Sequence, residues 1–150
     1  MLPTETQRRQ AFVRAALALW GTPYIYGGKS PAGIDCSGLV TCALQASGGP
    51  DWRLTHNAQR IRTLLPVLSE REAQPGDLIF FGEKDGTLDH AEHVVIYVGR
   101  GVVIGANGGG KACNTLEVAT RLGAGVRFEL GISYRRRLLD VRRCPALVGT

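Results

Sequence analysis

Apolar positions in the first third of the chain recur with helical spacing, whereas those in the second half fall into short blocks bounded by turn residues. Phe12, Ala16 and Leu19 share one face of a segment that opens on Thr4-Glu5-Thr6-Gln7, the form of a capping box, and stops at Gly21. This predicts an amphipathic helix from about 4 to 20. After a Gly- and Pro-rich loop, a second helix is expected to begin at Asp35-Cys36-Ser37, to carry Leu39, Val40, Ala43 and Leu44 inward, and to break at Ser47-Gly48-Gly49-Pro50. Thr55 can cap a third helix holding Ile61, Leu64 and Leu65.

The remainder reads as strands. Leu78 to Phe81 follows the turn Gln74-Pro75-Gly76-Asp77, and the runs His93 to Val98 and Val102 to Ala106 flank Gly99-Arg100-Gly101 as a hairpin. Val126 to Leu130 and Ile132 to Leu138 predict further strands. Helices first and strands afterwards point to an α+β domain, with the helices packed on an antiparallel sheet.

Composition narrows this picture. A chain of 150 residues, 44% hydrophobic and 21% charged, predicts one globular domain over 1–150 with its own core. No apolar stretch approaches the ~20 residues that cross a bilayer. Met1-Leu2-Pro3-Thr4-Glu5 lacks the basic start and apolar core of a secretory signal, so synthesis in the cytoplasm without a signal peptide is expected. The net charge of +5 owes much to Arg135, Arg136, Arg137, Arg142 and Arg143. No aromatic stacking platform accompanies them, so no specific nucleic-acid partner is expected; a solvated edge strand guarded by charge is.

The four cysteines, at 36, 42, 113 and 144, show no CxxC spacing, which speaks against structural zinc. Cys36 stands where a Gly-rich loop becomes a helix, and there the free backbone amides and the helix dipole favour a thiolate. Its pKa is therefore expected to fall. Cys42, Cys113 and Cys144 read as inert, and Cys42 lies about 240° around the same helix from Cys36, too far for a redox pair. A nucleophilic thiol needs a base, and histidine is the usual one. His93 heads a strand that would hold its ring; His90 lies in the polar loop Asp89-His90-Ala91-Glu92, and His56 opens the third helix.

Gly21-Thr22-Pro23-Tyr24-Ile25-Tyr26-Gly27-Gly28 followed by Gly33-Ile34-Asp35-Cys36-Ser37-Gly38-Leu39-Val40 closely resembles the nucleophile region of NlpC-type cell-wall peptidases, a compact papain-like branch. Pro75-Gly76-Asp77-Leu78 resembles that family's turn into its first core strand, and His93-Val94-Val95-Ile96-Tyr97-Val98-Gly99 its histidine strand. The motifs stand in the family's order and span about residues 8 to 140. The resemblance implies a papain-like α+β domain, with N-terminal helices on an antiparallel sheet of about five to six strands. It also implies a cysteine peptidase that hydrolyses peptidoglycan stem peptides, commonly between D-γ-glutamate and the next diamino acid, through a thioester. Cys36 would be the nucleophile, His93 its base and Tyr24 a supporting hydroxyl, with Asp35 and Ser37 at the substrate. Arg53 and Thr55, just before the third helix, are expected either to border the substrate cleft or to serve as surface caps. No cofactor and no metal are implied.

The family's polar residue that orients the histidine ring falls on Gly105 here. Asn107, two residues on and so on the same strand face, is the expected substitute. Three further readings can be weighed. Gly105-Ala106-Asn107-Gly108-Gly109-Gly110-Lys111 has the spacing of a phosphate-binding loop, but Ala112 stands where a Ser or Thr should hold magnesium. His90 and His93 with Asp89 and Glu92 suggest a metal, but on a strand residues three apart face opposite ways. An inactive wall-peptide-binding or phage-tail component of the same fold, or a thiol hydrolase or acyltransferase acting on a non-wall amide, stays open. Delivery to the wall by a phage particle or a secretion machine, or else a cytoplasmic role, is the expectation that accompanies the missing signal.

Overall fold

The computed structural model describes residues 1–145; the last five residues of the expected domain lie outside the described residues. The chain runs α1 (Glu5–Leu17), β1 (Lys29–Ser30), β2 (Gly33–Ile34), α2 (Cys36–Ala46), a 3-10 turn at Arg53–Thr55, α3 (Ala58–Thr63), β3 (Val67–Leu68), a 3-10 turn at Glu70–Glu72, β4 (Leu78–Phe81), β5 (His93–Gly99), β6 (Val102–Asn107), α4 (Leu116–Leu122), β7 (Gly125–Leu130) and β8 (Leu138–Arg142). Six strands form one antiparallel sheet in the order β3-β8-β4-β5-β6-β7, and β1 and β2 make a separate ribbon. This is the α+β architecture that the order of patterns predicts.

The capping box forms as read: Gln7 N–H donates to Thr4 Oγ1 at 3.1 Å, and Thr4 N–H to Gln7 Oε1 at 2.9 Å. The helix ends at Leu17 rather than near 20, where backbone bonds tighten into turns through Leu19 and Trp20. Alternation along the strands divides their side chains between two faces. Leu78, Phe80, Val94, Ile96, Ile104 and Ala106 meet Phe12 and Ala16 of α1 and Leu39, Val40, Ala43 and Leu44 of α2. Ile79, Phe81, Val95, Val103 and Val141 form a second core on the opposite face, covered by Ile132, Tyr134 and Leu138.

Several expectations are corrected. Asn57, not Thr55, caps the third helix, because its Oδ1 accepts Arg60 N–H at 3.0 Å while Thr55 sits inside the 3-10 turn. Leu64 is exposed, since that helix stops at Thr63. The strand expected over 132–138 begins only at Leu138; positive φ at Gly131 and Arg137 breaks extended geometry before it. The remainder, expected as strands, also holds α4, which Thr115 caps at its start and Gly123 ends in the left-handed region.

The basic tail is not a solvated edge. β8 lies between β3 and β4, and the arginines at its end and just beyond are anchored: Arg142 on Asp140 at 2.9 Å, and Arg143 on the fully buried Asp77 at 2.9 Å. Arg9 reaches the same Asp77 carboxylate from α1, also at 2.9 Å. One buried acid therefore ties the first helix to the last strand.

Candidate active site

The site begins with the cap of α2. Asp35 takes extended backbone geometry, and its Oδ1 accepts Gly38 N–H at 2.8 Å. Its Oδ2 accepts Gly27 N–H at 2.9 Å, which pins the glycine loop against the helix start. Position 38 must be glycine, because a Cβ there would collide with the carbonyl of Gly28. The tight packing puts Cys36 in the first turn of α2 and lets it face the beginning of β5.

Cys36 is 7% exposed. Its thiol lies 4.0 Å from the carbonyl oxygen of Glu92, while backbone N–H groups of Val94 and Ser37 favour the anion. Burial nevertheless dominates, and with the charge of Asp35 it pushes the thiol up to about 12. The expected fall in pKa is thus reversed: the helix terminus contributes donors, but the loss of water outweighs them. His93, also buried, is driven the other way, to about 3, by burial first and the charge of Arg135 second. At neutral pH the resting pair is thiol and neutral imidazole.

His93 shares a cleft of about 330 Å³ with Cys36, Tyr24, Asp35 and Ser37. Its Nε2 lies 2.8 Å from Asn107 Oδ1 and 3.0 Å from the Tyr134 hydroxyl, which itself donates to Asn107 Oδ1 at 2.7 Å. Asn107 Nδ2 donates to Gly105 O at 3.2 Å, which turns Oδ1 toward the ring. An amide oxygen only accepts, so Nε2 carries the proton and Nδ1 keeps its lone pair. Gly105 makes room for this: a Cβ there would stand 2.5 Å from Val95 and 3.1 Å from Asn107 Nδ2. The side chain missing at 105 is replaced from 107.

Tyr24 is buried, and its phenol pKa is raised by desolvation and then by Cys36, which places the ring in the field of the thiol. Ser37 Oγ donates to Asp35 Oδ1 at 3.3 Å. Arg53 is not part of the cleft lining: its guanidinium forks onto Asp51, at 2.9 and 2.8 Å. Thr55 is likewise outside it. Of the other histidines, His90 lines the cleft half-exposed, and His56 Nε2 sits 2.6 Å from Asp35 Oδ1. Neither has the amide partner that His93 has. Sequence reasoning named His56 only as a candidate base and did not place Tyr134 or Arg135 at the site; His56 and Tyr134 are held by contacts 21 and 41 residues away in the chain. No local pattern marks them.

Among the described residues no group of three His, Cys, Asp or Glu side chains could hold a metal ion, and no helix is long and apolar enough to cross a membrane.

Comparison with known proteins places this geometry. The model of the NlpC/P60 family matches residues 21–122, a span that includes Cys36, His93 and Asn107 but not Tyr134 or Arg135. A probable endopeptidase of Mycobacterium tuberculosis is 38% identical over 96 residues, 64% of this chain and 23% of that protein. The bifunctional muramidase/DL-endopeptidase CwlT of Bacillus subtilis is 38% identical over 104 residues, 67% of this chain and 30% of that one. The chain therefore spans less than a third of the length of these relatives. Among solved structures, the NlpC/p60 domain of the peptidoglycan hydrolase SagA superposes with a TM-score of 0.66 at 28% identity, covering 91% of this chain and 98% of that domain. An NlpC/P60 family protein of Bacillus cereus shares the fold with a TM-score of 0.70 at 22% identity, over 90% of this chain and 39% of that one. The motifs around Cys36 and His93, the matched span and the shared fold agree: the chain belongs to the NlpC/P60 family.

Proposed function

We propose that this chain is a cysteine peptidase that hydrolyses peptidoglycan stem peptides, with the D-γ-glutamyl–diamino acid bond as its target. The observation that carries this reading is the protonation pattern of His93. Its Nε2–H is committed to Asn107 and Tyr134, so Nδ1 is the basic atom available to the thiol in the shared cleft.

As Cys36 Sγ attacks the scissile carbonyl carbon, its proton passes to His93 Nδ1. The carbonyl oxygen takes the negative charge, and the backbone amide of Cys36 at the start of α2, with the Tyr24 hydroxyl nearby, supplies the stabilising donors. Collapse breaks the C–N bond, and His93 returns the proton to the leaving amine. Water then attacks the thioester, giving its proton to His93, and the thiol is restored as the acid product leaves. Starting from neutral partners suits a dry cleft, because neither charge has to be maintained alone before substrate arrives. The relatives named as endopeptidases and as a peptidoglycan hydrolase support the substrate class.

The test is incubation of the protein and its Cys36→Ala variant with muropeptides, with products identified by mass. Cleavage by the parent and none by the variant is expected. Cleavage that survives the substitution would remove Cys36 as nucleophile.

A further inference from the structure

Seven of the fifteen arginines are matched to acids: Arg9 and Arg143 to Asp77, Arg53 to Asp51, Arg62 to Asp89 and Asp140, Arg127 to Glu129, Arg136 to Asp85 and Arg142 to Asp140. Arg135 differs. It makes no ion pair or hydrogen bond among the described residues, and its Nε is enclosed without a partner. It also stands where the matched arginines do not, in the wall shared by the cleft of Cys36 and His93 and an adjoining cavity of about 310 Å³.

The surroundings of Arg135 are basic. Lys84, Arg127 and Arg136 line the adjoining cavity with it, and Lys111 lies on the other side, in the cleft. The nearby acids are already engaged. Glu129 holds Arg127 at 3.0 Å, and Asp35 is satisfied by Gly27, Gly38, Ser37 and His56. Glu92 is half-exposed beside His90, at 3.9 Å. A planar guanidinium that no carboxylate of the described residues occupies, in the wall of the proposed peptide-cleaving cleft, is fitted to receive a carboxylate from the substrate.

We infer that Arg135 forms a carboxylate subsite, binding a free carboxylate of the stem peptide beside the scissile amide. This rests on the proposed function and names what that site selects. The arrangement has a chemical consequence. Uncompensated, the charge of Arg135 opposes protonation of His93 while favouring the thiolate. A bound carboxylate cancels that field, so the imidazolium needed to protonate the leaving amine forms more easily once the right substrate is seated. A neutral, amidated peptide would leave the field in place.

The experiment measures binding and turnover side by side. A stem tripeptide with free carboxylates and its fully amidated counterpart are titrated calorimetrically into the Cys36→Ala protein, with and without Arg135→Gln. Hydrolysis by proteins that retain Cys36 is followed in parallel. The expected result is a preference of about 10- to 100-fold for the free acid, the scale of a charge-assisted pair, lost in Arg135→Gln through weaker binding of the acid alone and partly restored by Arg135→Lys. Equal affinities in the parent, a preference that survives Arg135→Gln, or no binding of either peptide overturns the subsite. Failure of the parent to hydrolyse either peptide, whatever the titration shows, counts against the peptidase reading instead. Because Arg135 has no partner to lose among the described residues, the Gln variant is expected to melt with the parent.

Discussion

The two faces of the sheet contribute opposite halves of the site. The helix-bearing face carries α2 and hence Cys36, whose helix start is fixed by neighbours within ten residues: Asp35, Ser37, Gly38 and the loop at Gly27. The other face carries the side chains of His93, Val95, Val103 and Asn107, and it is closed by the returning segment around Tyr134. The halves meet at the start of β5, where the sheet is short enough for a ring from one face to reach the cleft opened by the other. The proposed nucleophile is thus positioned by one loop and one helix turn, whereas the proposed base requires three elements brought together by tertiary folding. The cysteine half is local; the histidine half is cooperative.

Breaking the histidine half should cost most. His93→Ala is expected to lower kcat by about 10²- to 10⁴-fold, the usual contribution of a positioned acid–base, while His90→Ala leaves turnover within a few-fold. Steady-state kinetics on a muropeptide decides between them, and the reverse ranking would move the base to His90.

A smaller effect sharpens the role of the segment that closes this face. Tyr134→Phe keeps the edge-on contact with Phe81, whose ring centroid is 5.4 Å away, but loses the hydroxyl that donates to Asn107. A fall in kcat of about three- to tenfold with KM unchanged is expected, the worth of one hydrogen bond. No change would mean that Asn107 holds the ring without help.

The smallest effect is on stability. His93 titrates near 3 in the folded protein, whereas in the unfolded chain it takes a proton below about 6.5. Between these values the unfolded state binds more protons, so this contribution is complete above pH 6.5 and declines on acidification toward 3. Thermal melts from pH 6.5 to 4.5, above the range in which the depressed carboxylate Asp140 titrates, should show Tm falling with pH. His93→Gln should flatten that slope. A slope unaltered by the substitution would mean that the buried, neutral state of His93 does not govern it.

Much of the fold could be read from pattern because its signals are short-range. Thr4 and Gln7 form the capping box, Gly99 to Gly101 turns the hairpin, and alternation along 93–98 and 102–106 sets two buried faces. Where reading failed, a neighbour in space decided. β8 became an interior strand because β3 and β4 flank it, and the arginines at its end and just beyond found Asp77 and Asp140. The thiol was expected to be acidified by its helix, yet the close packing of that same helix start takes away the water a thiolate would need.

What the sequence by itself determined is where the proposed pair sits: Cys36 at a helix start capped by Asp35 and His93 at the head of a strand, since capping and alternation are properties of adjacent residues. Only the tertiary structure decided which ring nitrogen is free and why Gly105 can lack a side chain. It alone brought Tyr134 to the His93 ring and Arg135 to the cleft, both from beyond the matched family span. Those outcomes depend on distances between residues far apart in the chain, and such distances exist only once the sheet has formed.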